Sequence, residues 1–353
     1  MMRQKVFVGL SGGVDSAVSA ALLKEQGHDV VGVFIKIWQS EFIECTWRED
    51  RLDAMRVAAA LSIPFREIDL SDEYKKSVVE KMIADYARGA TPNPDVLCNR
   101  HIKFGAFAKW AREEGAEMIA TGHYAQKRET DAHFELVRGH DTAKDQSYFL
   151  YQLTQSDLSH ALFPVGGMLK TRVREHAKRF KLPIAKKPDS QGVCFIGEVS
   201  MGDFLARFIP VERGAVLDTA GKVVGEHSGA ALYTIGQRHG FVTAGPDGPY
   251  YVVRIDVASN TLHVSQRRED AARASVTLED VHWVYREPHF PCTLQAQARY
   301  HERPVTVELS KNERGLVAAF LEPHIASPGQ SLVLYLPALA GEGDACVGGG
   351  TIK

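Results

Sequence analysis

Hydrophobic positions in this chain follow two regimes. In the first, short β-branched runs alternate with helical periodicity. Lys5-Val6-Phe7-Val8-Gly9-Leu10 reads as a buried strand, and Ala17-Val18-Ser19-Ala20-Ala21-Leu22-Leu23 as a helix stopped by Gly27. His28-Asp29-Val30-Val31-Gly32-Val33-Phe34-Ile35 reads as a second strand. Residues 50–61 form a helix with Leu52, Met55, Val57, Ala58 and Leu61 available for its buried stripe. Residues 63–69 are a third strand, 71–87 a helix begun by a Ser71-x-x-Tyr74 cap, 102–114 an amphipathic helix and 118–123 a further strand. Such alternation predicts a doubly wound parallel sheet, whose ligands lie beyond the carboxyl ends of its strands. The turn after the first strand, Ile35 and Gly122-His123 all fall at such ends.

Near residue 200 the pattern changes. A short helix near 203–208 opens a glycine-rich β region, in which Ala258-Ser259-Asn260 reads as a hairpin turn. From about Ser275, short strands around 305–309, 317–321 and 331–335 suggest a small barrel or sandwich. Expected domains are therefore 1–200, 201–274 (small and β-rich) and 275–353 (β-barrel).

The chain has 353 residues, enough for two or three domains, with 44% hydrophobic and 24% charged residues. No apolar run is long enough to span a bilayer, and no signal-peptide pattern opens the chain. Five scattered cysteines, an odd number, argue against a disulfide framework and for a reducing cytoplasm. A net charge of −2 gives no global support to nucleic-acid binding, so any such case rests on local patches.

Three segments carry candidate chemistry. Ser11-Gly12-Gly13-Val14-Asp15-Ser16 joins a strand to a helix. Its outward-pointing N–H groups, with the positive end of the helix dipole, form a cradle for phosphate oxygens. The bland alternative is an ordinary glycine-rich turn. No Gly-Lys-Ser/Thr closes the loop, so cleavage at the γ-phosphate is not the natural reading. In Thr91-Pro92-Asn93-Pro94-Asp95-Val96-Leu97-Cys98-Asn99-Arg100, the prolines stiffen a loop. Asp95 precedes Cys98 by about one turn, and Arg100 and Lys103 would favour thiolate. In Asp189-Ser190-Gln191-Gly192-Val193-Cys194-Phe195-Ile196-Gly197, a glycine-flanked cysteine sits in a setting that permits exposure. Cys45, Cys292 and Cys346 read as small buried hydrophobes. No cysteine or histidine spacing suits zinc, and no metal ligands are assigned. Residues 170–187 hold eight cations and one acid, a local excess of +7 on an amphipathic pattern with Val173, Ala177 and Phe180 inward. Such a face suits phosphate-backbone contact, or is simply solvated.

Together these segments, with Ala120-Thr121-Gly122-His123-Tyr124, Lys144-Asp145-Gln146-Ser147-Tyr148-Phe149-Leu150-Tyr151 and Gly236-Gln237-Arg238, resemble the tRNA-specific 2-thiouridylases of the ATP pyrophosphatase PP-loop superfamily. The likeness runs from Val6 to Gly348-Gly349-Gly350. It implies a HUP-like catalytic domain, a small central domain and a C-terminal β-barrel. It also implies ATP binding by Gly9, Leu10, Ser11, Gly12, Gly13, Val14, Asp15 and Ser16, with Ile35 and Gly122 bordering the adenosine. Where Ile35 stands the family commonly has methionine, a change that a backbone contact survives. By the same resemblance Asn93, Pro94 and Asp95 meet the target base, and His123, Lys144, Asp145, Gln146, Arg299, Tyr300 and Gln330 contact tRNA. Cys98 is then the nucleophile and Cys194 the persulfide carrier, with Asp95 a possible general base.

The implied reaction uses ATP and Mg²⁺ to adenylate the C2 oxygen of the wobble uridine at position 34, and then replaces that oxygen with persulfide sulfur. The expected tRNAs are those for Lys, Glu and Gln, and the expected donor is a cysteine desulfurase or sulfur-relay protein. Direct persulfide attack and hydrosulfide release both remain open. Rival readings are another PP-loop ligase or amidase, a non-catalytic nucleotide-sensing RNA-binding protein, and a two-cysteine redox protein.

Overall fold

The computed structural model describes residues 3–43, 47–189, 192, 195–197, 199–244, 248–313, 315–338 and 343–353. Strands β1 (Lys5–Gly9), β2 (Asp29–Lys36), β3 (Phe65–Asp69) and β4 (Met118–Ala120) come first. A hairpin of β5 (Ala125–Glu129) and β6 (Phe134–Arg138) follows, and then β7 (Ala161–Leu162). A wholly parallel sheet of order β3-β2-β1-β4-β7 results, as the alternating pattern requires. Val6, Phe7 and Val8 are fully buried because β1 is central and covered on both faces. Helix α1 (Val14–Glu25) is packed between the sheet and helix α3 (Lys170–Arg179), whose Val173 and Ala177 share its core.

Several helices differ from the sequence reading. Helix α2 (Trp47–Ala60) buries Asp53, Ala54, Val57 and Ala58, while Leu52 and Met55 are exposed. Its inward stripe is Ala54, Val57, Ala58 and Leu61, with the buried Asp53 bonded to Arg56 and Lys187. No Ser71 side-chain cap forms; the Asp69 carboxylate instead accepts from the Ser71 N–H at 3.0 Å. The expected loop over 91–100 is helical from Pro94 onward, part of a continuous helix over 94–113. Asn93 caps it by accepting from the Val96 N–H, and Pro94 occupies the first turn. Cys98–Phe107 is wound as a π-helix, a form frequent at functional sites.

The central module is a five-stranded sheet of order β10-β9-β8-β12-β11. It is formed by β8 (Gly214–Leu217), β9 (Val223–His227), β10 (Val242–Thr243), β11 (Tyr251–Asp256) and β12 (Thr261–Ser265). The expected turn at 258–260 joins antiparallel β11 and β12, with Asn260 in a left-handed conformation. The last six strands are β13 (Arg273–Trp283), β14 (Cys292–Gln297), β15 (Val305–Asn312), β16 (Gly315–His324), β17 (Ser331–Leu336) and β18 (Ala345–Ile352). Pairing of β13 with β18 closes them into a barrel. Hairpin β5–β6 extends the same sheet through Ala345↔Val137 and Cys346↔Leu136. Among the described residues no helix is long and apolar enough to cross a membrane.

Candidate functional site: a phosphate loop beside a cysteine helix

Leu10 leaves β1 with its N–H bonded to Val33 O at 2.7 Å, which anchors the start of the phosphate loop to β2. Gly12 has φ +75°, and a Cβ there would stand 2.5 Å from Asp50 O, so only glycine fits. Ser16 Oγ accepts from the Ser11 N–H at 3.2 Å and lies 3.1 Å from Gly13 O, tying the loop to the first turn of α1. Ile35 flanks the Gly9 backbone, with its Cδ1 3.7 Å from where a Gly9 Cβ would be. Gly122 lies against the loop from the other side; a Cβ on it would meet Ser16 N at 2.6 Å. The residues 9–16, Ile35 and Gly122 are thus brought together at the carboxyl ends of β1, β2 and β4.

From there the turn after β4 reaches the cysteine helix. Ser19 Oγ donates to Thr121 O at 3.4 Å, and Thr121 Oγ1 lies 2.8 Å from His123 Nδ1. Burial, with Lys103 beside it, holds the His123 pKa well below its usual value. The ring is neutral, so Nε2 accepts from Lys103 Nζ at 3.3 Å and Nδ1–H donates to Thr121. Lys103 also faces Asp95. Burial raises the Asp95 pKa and Lys103 opposes that rise, an environment suited to a general base. Asp95, Asn99 and Lys103 recur at spacings of four along the helix and form a polar stripe. Asn99 donates to Phe149 O at 3.1 Å, while its buried Oδ1 finds no partner among the described residues. Cys98 is buried; Cys194 and Cys45 lie outside the described residues. Cys346 is buried with its thiol pushed up to about 12, and burial also raises that of Cys292, so both are poor nucleophiles at neutral pH.

The other sequence-derived positions converge on the approach to this helix. Gln330 Nε2 donates to Thr91 O at 2.7 Å, and Thr91 Oγ1 is 3.0 Å from Thr234 Oγ1. Arg299 donates to Ile235 O at 2.6 Å, and Tyr300 packs on Phe149 with ring centroids 4.4 Å apart. Segments from all three modules therefore meet at Thr91. Asp145 turns inward, accepting from Gly139 N and Arg138 Nη1 at 2.8 and 2.7 Å. Gln146 accepts from the Tyr124 N–H at 3.0 Å.

The cationic strip is the main departure from expectation. Asp15 receives Lys170; Asp189 receives Lys144, Lys170 and Arg174; Asp50 and Asp53 receive Lys187. Arg172 pairs with Glu175 and Arg179 with Glu25. Lys170, Arg179 and Lys187 thus pair with acids remote in sequence, and Lys170, at the start of the strip, faces the phosphate loop. Asn99, Tyr124, Lys170 and Asp189 also belong to the site; the sequence places each within one of the motifs or the cationic strip but gives it no individual role there.

A parallel HUP sheet with this loop at its carboxyl edge defines an ATP-using enzyme of the PP-loop class. Three family descriptions match in succession: tRNA methyl transferase HUP domain over residues 4–198, tRNA methyl transferase PRC-barrel domain over 202–266, and Aminomethyltransferase beta-barrel domain over 273–352. The tRNA-specific 2-thiouridylase MnmA of Paraburkholderia xenovorans is 46% identical over 368 residues, covering 100% of this chain and 94% of that protein. Its counterpart in Stenotrophomonas maltophilia is 45% identical over 363 residues, with the same coverage. A solved 4-thiouridine synthetase–RNA complex with bound ATP is similar over 59% of this chain and 50% of that one, at 22% identity and a TM-score of 0.35. The chain belongs to the tRNA-specific 2-thiouridylase family, whose members are sulfurtransferases.

Proposed function

We propose that this chain converts the wobble uridine at position 34 of tRNA to 2-thiouridine in the cytoplasm. The observation that best supports this reading is the Thr121–His123 turn, which lies against the phosphate loop at Gly122, beside Ser16 N, and meets the cysteine helix through Lys103. A nucleotide and a thiol are thereby addressed by one short segment.

The C2 carbonyl of uridine is a poor electrophile. Attack of its oxygen on the α-phosphorus of ATP would release pyrophosphate and leave an adenylated base whose AMP can depart. Ser11, Gly12, Gly13 and Ser16 would hold the β- and γ-phosphates. Mg²⁺ would enter as the ATP salt and supply charge neutralisation to the leaving pyrophosphate. No group of three metal-ligating side chains exists among the described residues, but Asp15 at the loop is a carboxylate of the right kind. Asn93, Pro94 and Asp95 would meet the base. His123, Lys144, Asp145, Gln146, Arg299, Tyr300 and Gln330 would hold tRNA, with side chains that face inward acting by shaping the surface.

Sulfur would arrive as a Cys194 persulfide charged by a cysteine desulfurase or sulfur-relay protein. In one route its terminal sulfur attacks C2 and expels AMP; Cys98 thiolate then attacks Cys194 Sγ, freeing thiouridine. In the other, Cys98 attacks Cys194 Sγ first and the released hydrosulfide attacks C2. Both end with a Cys98–Cys194 disulfide that an external thiol reduces. The expected substrates are the tRNAs for Lys, Glu and Gln. Incubation of protein, ATP, Mg²⁺, unmodified tRNA and a persulfide donor tests the reading by nucleoside mass spectrometry. Sulfur-for-oxygen exchange at position 34 supports it; bound but unmodified tRNA points to a sensing module instead.

A further inference from the structure

We infer that Lys170 is a phosphate-binding residue of the reaction, supplying from a distant helix the cation that the loop 9–16 does not contain. The inference rests on the proposed function and names an additional residue that handles the pyrophosphate end of ATP.

The only charge within residues 9–16 is the carboxylate of Asp15, which opposes an incoming polyanion. Backbone N–H groups and the helix dipole offset a triphosphate only in part. Lys170, 155 positions downstream, places Nζ 2.7 Å from Asp15 Oδ1 and 2.8 Å from Oδ2. It lies at the first turn of α3, where its backbone N–H donates to Asp141 Oδ2 at 2.9 Å. The same ammonium is 2.9 Å from Asp189 Oδ1, so its three donors are all committed to carboxylates.

Those carboxylates do not depend on it. Asp15 Oδ1 also accepts from the Tyr124 hydroxyl at 2.8 Å. Asp189 also receives Lys144 at 2.8 Å and Arg174 at 2.5 Å. Lys170 can therefore turn from Asp15 to phosphate oxygens and leave neither acid without a donor. Burial and the adjacent Asp15 keep the Tyr124 phenol protonated, so its hydrogen bond persists. Lys187 stands near the loop too, but it is bonded to Asp50 and Asp53 and to no loop residue. The four-carbon stem of a lysine suits such an exchange of partners, since its charge is compact and its donors rotate.

The test compares full-length wild type with Lys170→Gln, Lys170→Arg and Arg174→Gln. Binding of ATP, pyrophosphate and AMP is read by competition against a fluorescent ATP analogue, and tRNA-dependent AMP formation by chromatography. The glutamine variant should lose about tenfold, or ~1.4 kcal/mol, in affinity for ATP and pyrophosphate. Its AMP affinity should hold within about twofold, and the arginine variant should recover most of the loss. Arg174→Gln removes a cation from Asp189 without touching the loop and should leave pyrophosphate affinity unchanged. If Lys170→Gln folds poorly, pairing it with Asp189→Asn removes the under-compensated acid and keeps the comparison readable. Equal losses for AMP and pyrophosphate, or no loss for pyrophosphate, would overturn the inference. A wild type that makes no AMP with tRNA and a persulfide donor present would instead overturn the proposed function.

Discussion

Gln330, on the turn leading into β17, donates to the Thr91 carbonyl at 2.7 Å and to Pro92 O at 3.3 Å, bracing the entry to the cysteine helix from the barrel. A residue 239 positions away thus fixes the segment that carries Asn93, Asp95 and Cys98. Each such bond contributes about 1 kcal/mol. Gln330→Ala should therefore lower kcat/KM for tRNA roughly tenfold and leave the KM for ATP unchanged. Steady-state kinetics with each substrate varied in turn check this.

Gly122 is the contact between the turn after β4 and the phosphate loop. In Gly122→Ala the new methyl would stand 2.6 Å from Ser16 N, displacing an N–H that the phosphates need. We expect ATP affinity to fall by about tenfold or more, ~1.4 kcal/mol, with tRNA affinity retained. Equilibrium binding of each ligand measures both.

The cysteines should separate by environment. Cys98→Ser should abolish thiolation and leave tRNA-dependent pyrophosphate release in place, because sulfur transfer follows adenylation. Cys346 sits in the barrel with its thiol pushed up to about 12, out of reach of thiolate chemistry at neutral pH. Cys346→Ser should keep activity within about twofold, with any loss confined to stability. Nucleoside analysis beside pyrophosphate release distinguishes these outcomes.

Asp95 gives a pH signature. Burial raises its pKa in the folded state above that of the unfolded chain, and Lys103 offsets this only in part. The folded state thus holds the proton more tightly. Its stability advantage is full below the unfolded carboxylate range and is lost as pH rises through the folded value. Asp95→Asn removes the ionisation and should raise the melting temperature at neutral pH, with the gain shrinking toward acid. The same variant should lose roughly a hundredfold in thiolation rate if Asp95 is the base. Thermal melts across pH and single-turnover assays read the two effects independently.

Local pattern made the parallel sheet and the phosphate loop legible. Val6, Phe7 and Val8 form a continuous apolar run, and Gly12 marks a left-handed turn. The β character of the last third was also evident from its short alternating strands. Long-range partners were not. Hairpin β5–β6 joins the barrel sheet across about two hundred residues, and nothing in 125–138 announces that pairing. The strip 170–187 looked like a free cationic face because Asp15, Asp50 and Asp53, which pair with Lys170 and Lys187 at its two ends, lie more than a hundred residues earlier. The 94–97 stretch looked like a loop from its prolines, yet Pro94 fits the first turn of a helix whose cap is Asn93. That Asp53 of α2 could be buried was not legible either, because its partner Lys187 lies outside the window that sets the helix's periodicity.

The central claim is that the C2 oxygen of the target uridine attacks the α-phosphorus of ATP before sulfur arrives. tRNA carrying heavy oxygen at that position tests it directly, through the mass of the nucleotide released in a single turnover. The account predicts that the heavy oxygen appears in the phosphate of AMP, in proportion to the 2-thiouridine formed. Heavy oxygen recovered in water or in inorganic phosphate, or ADP in place of AMP, would contradict it.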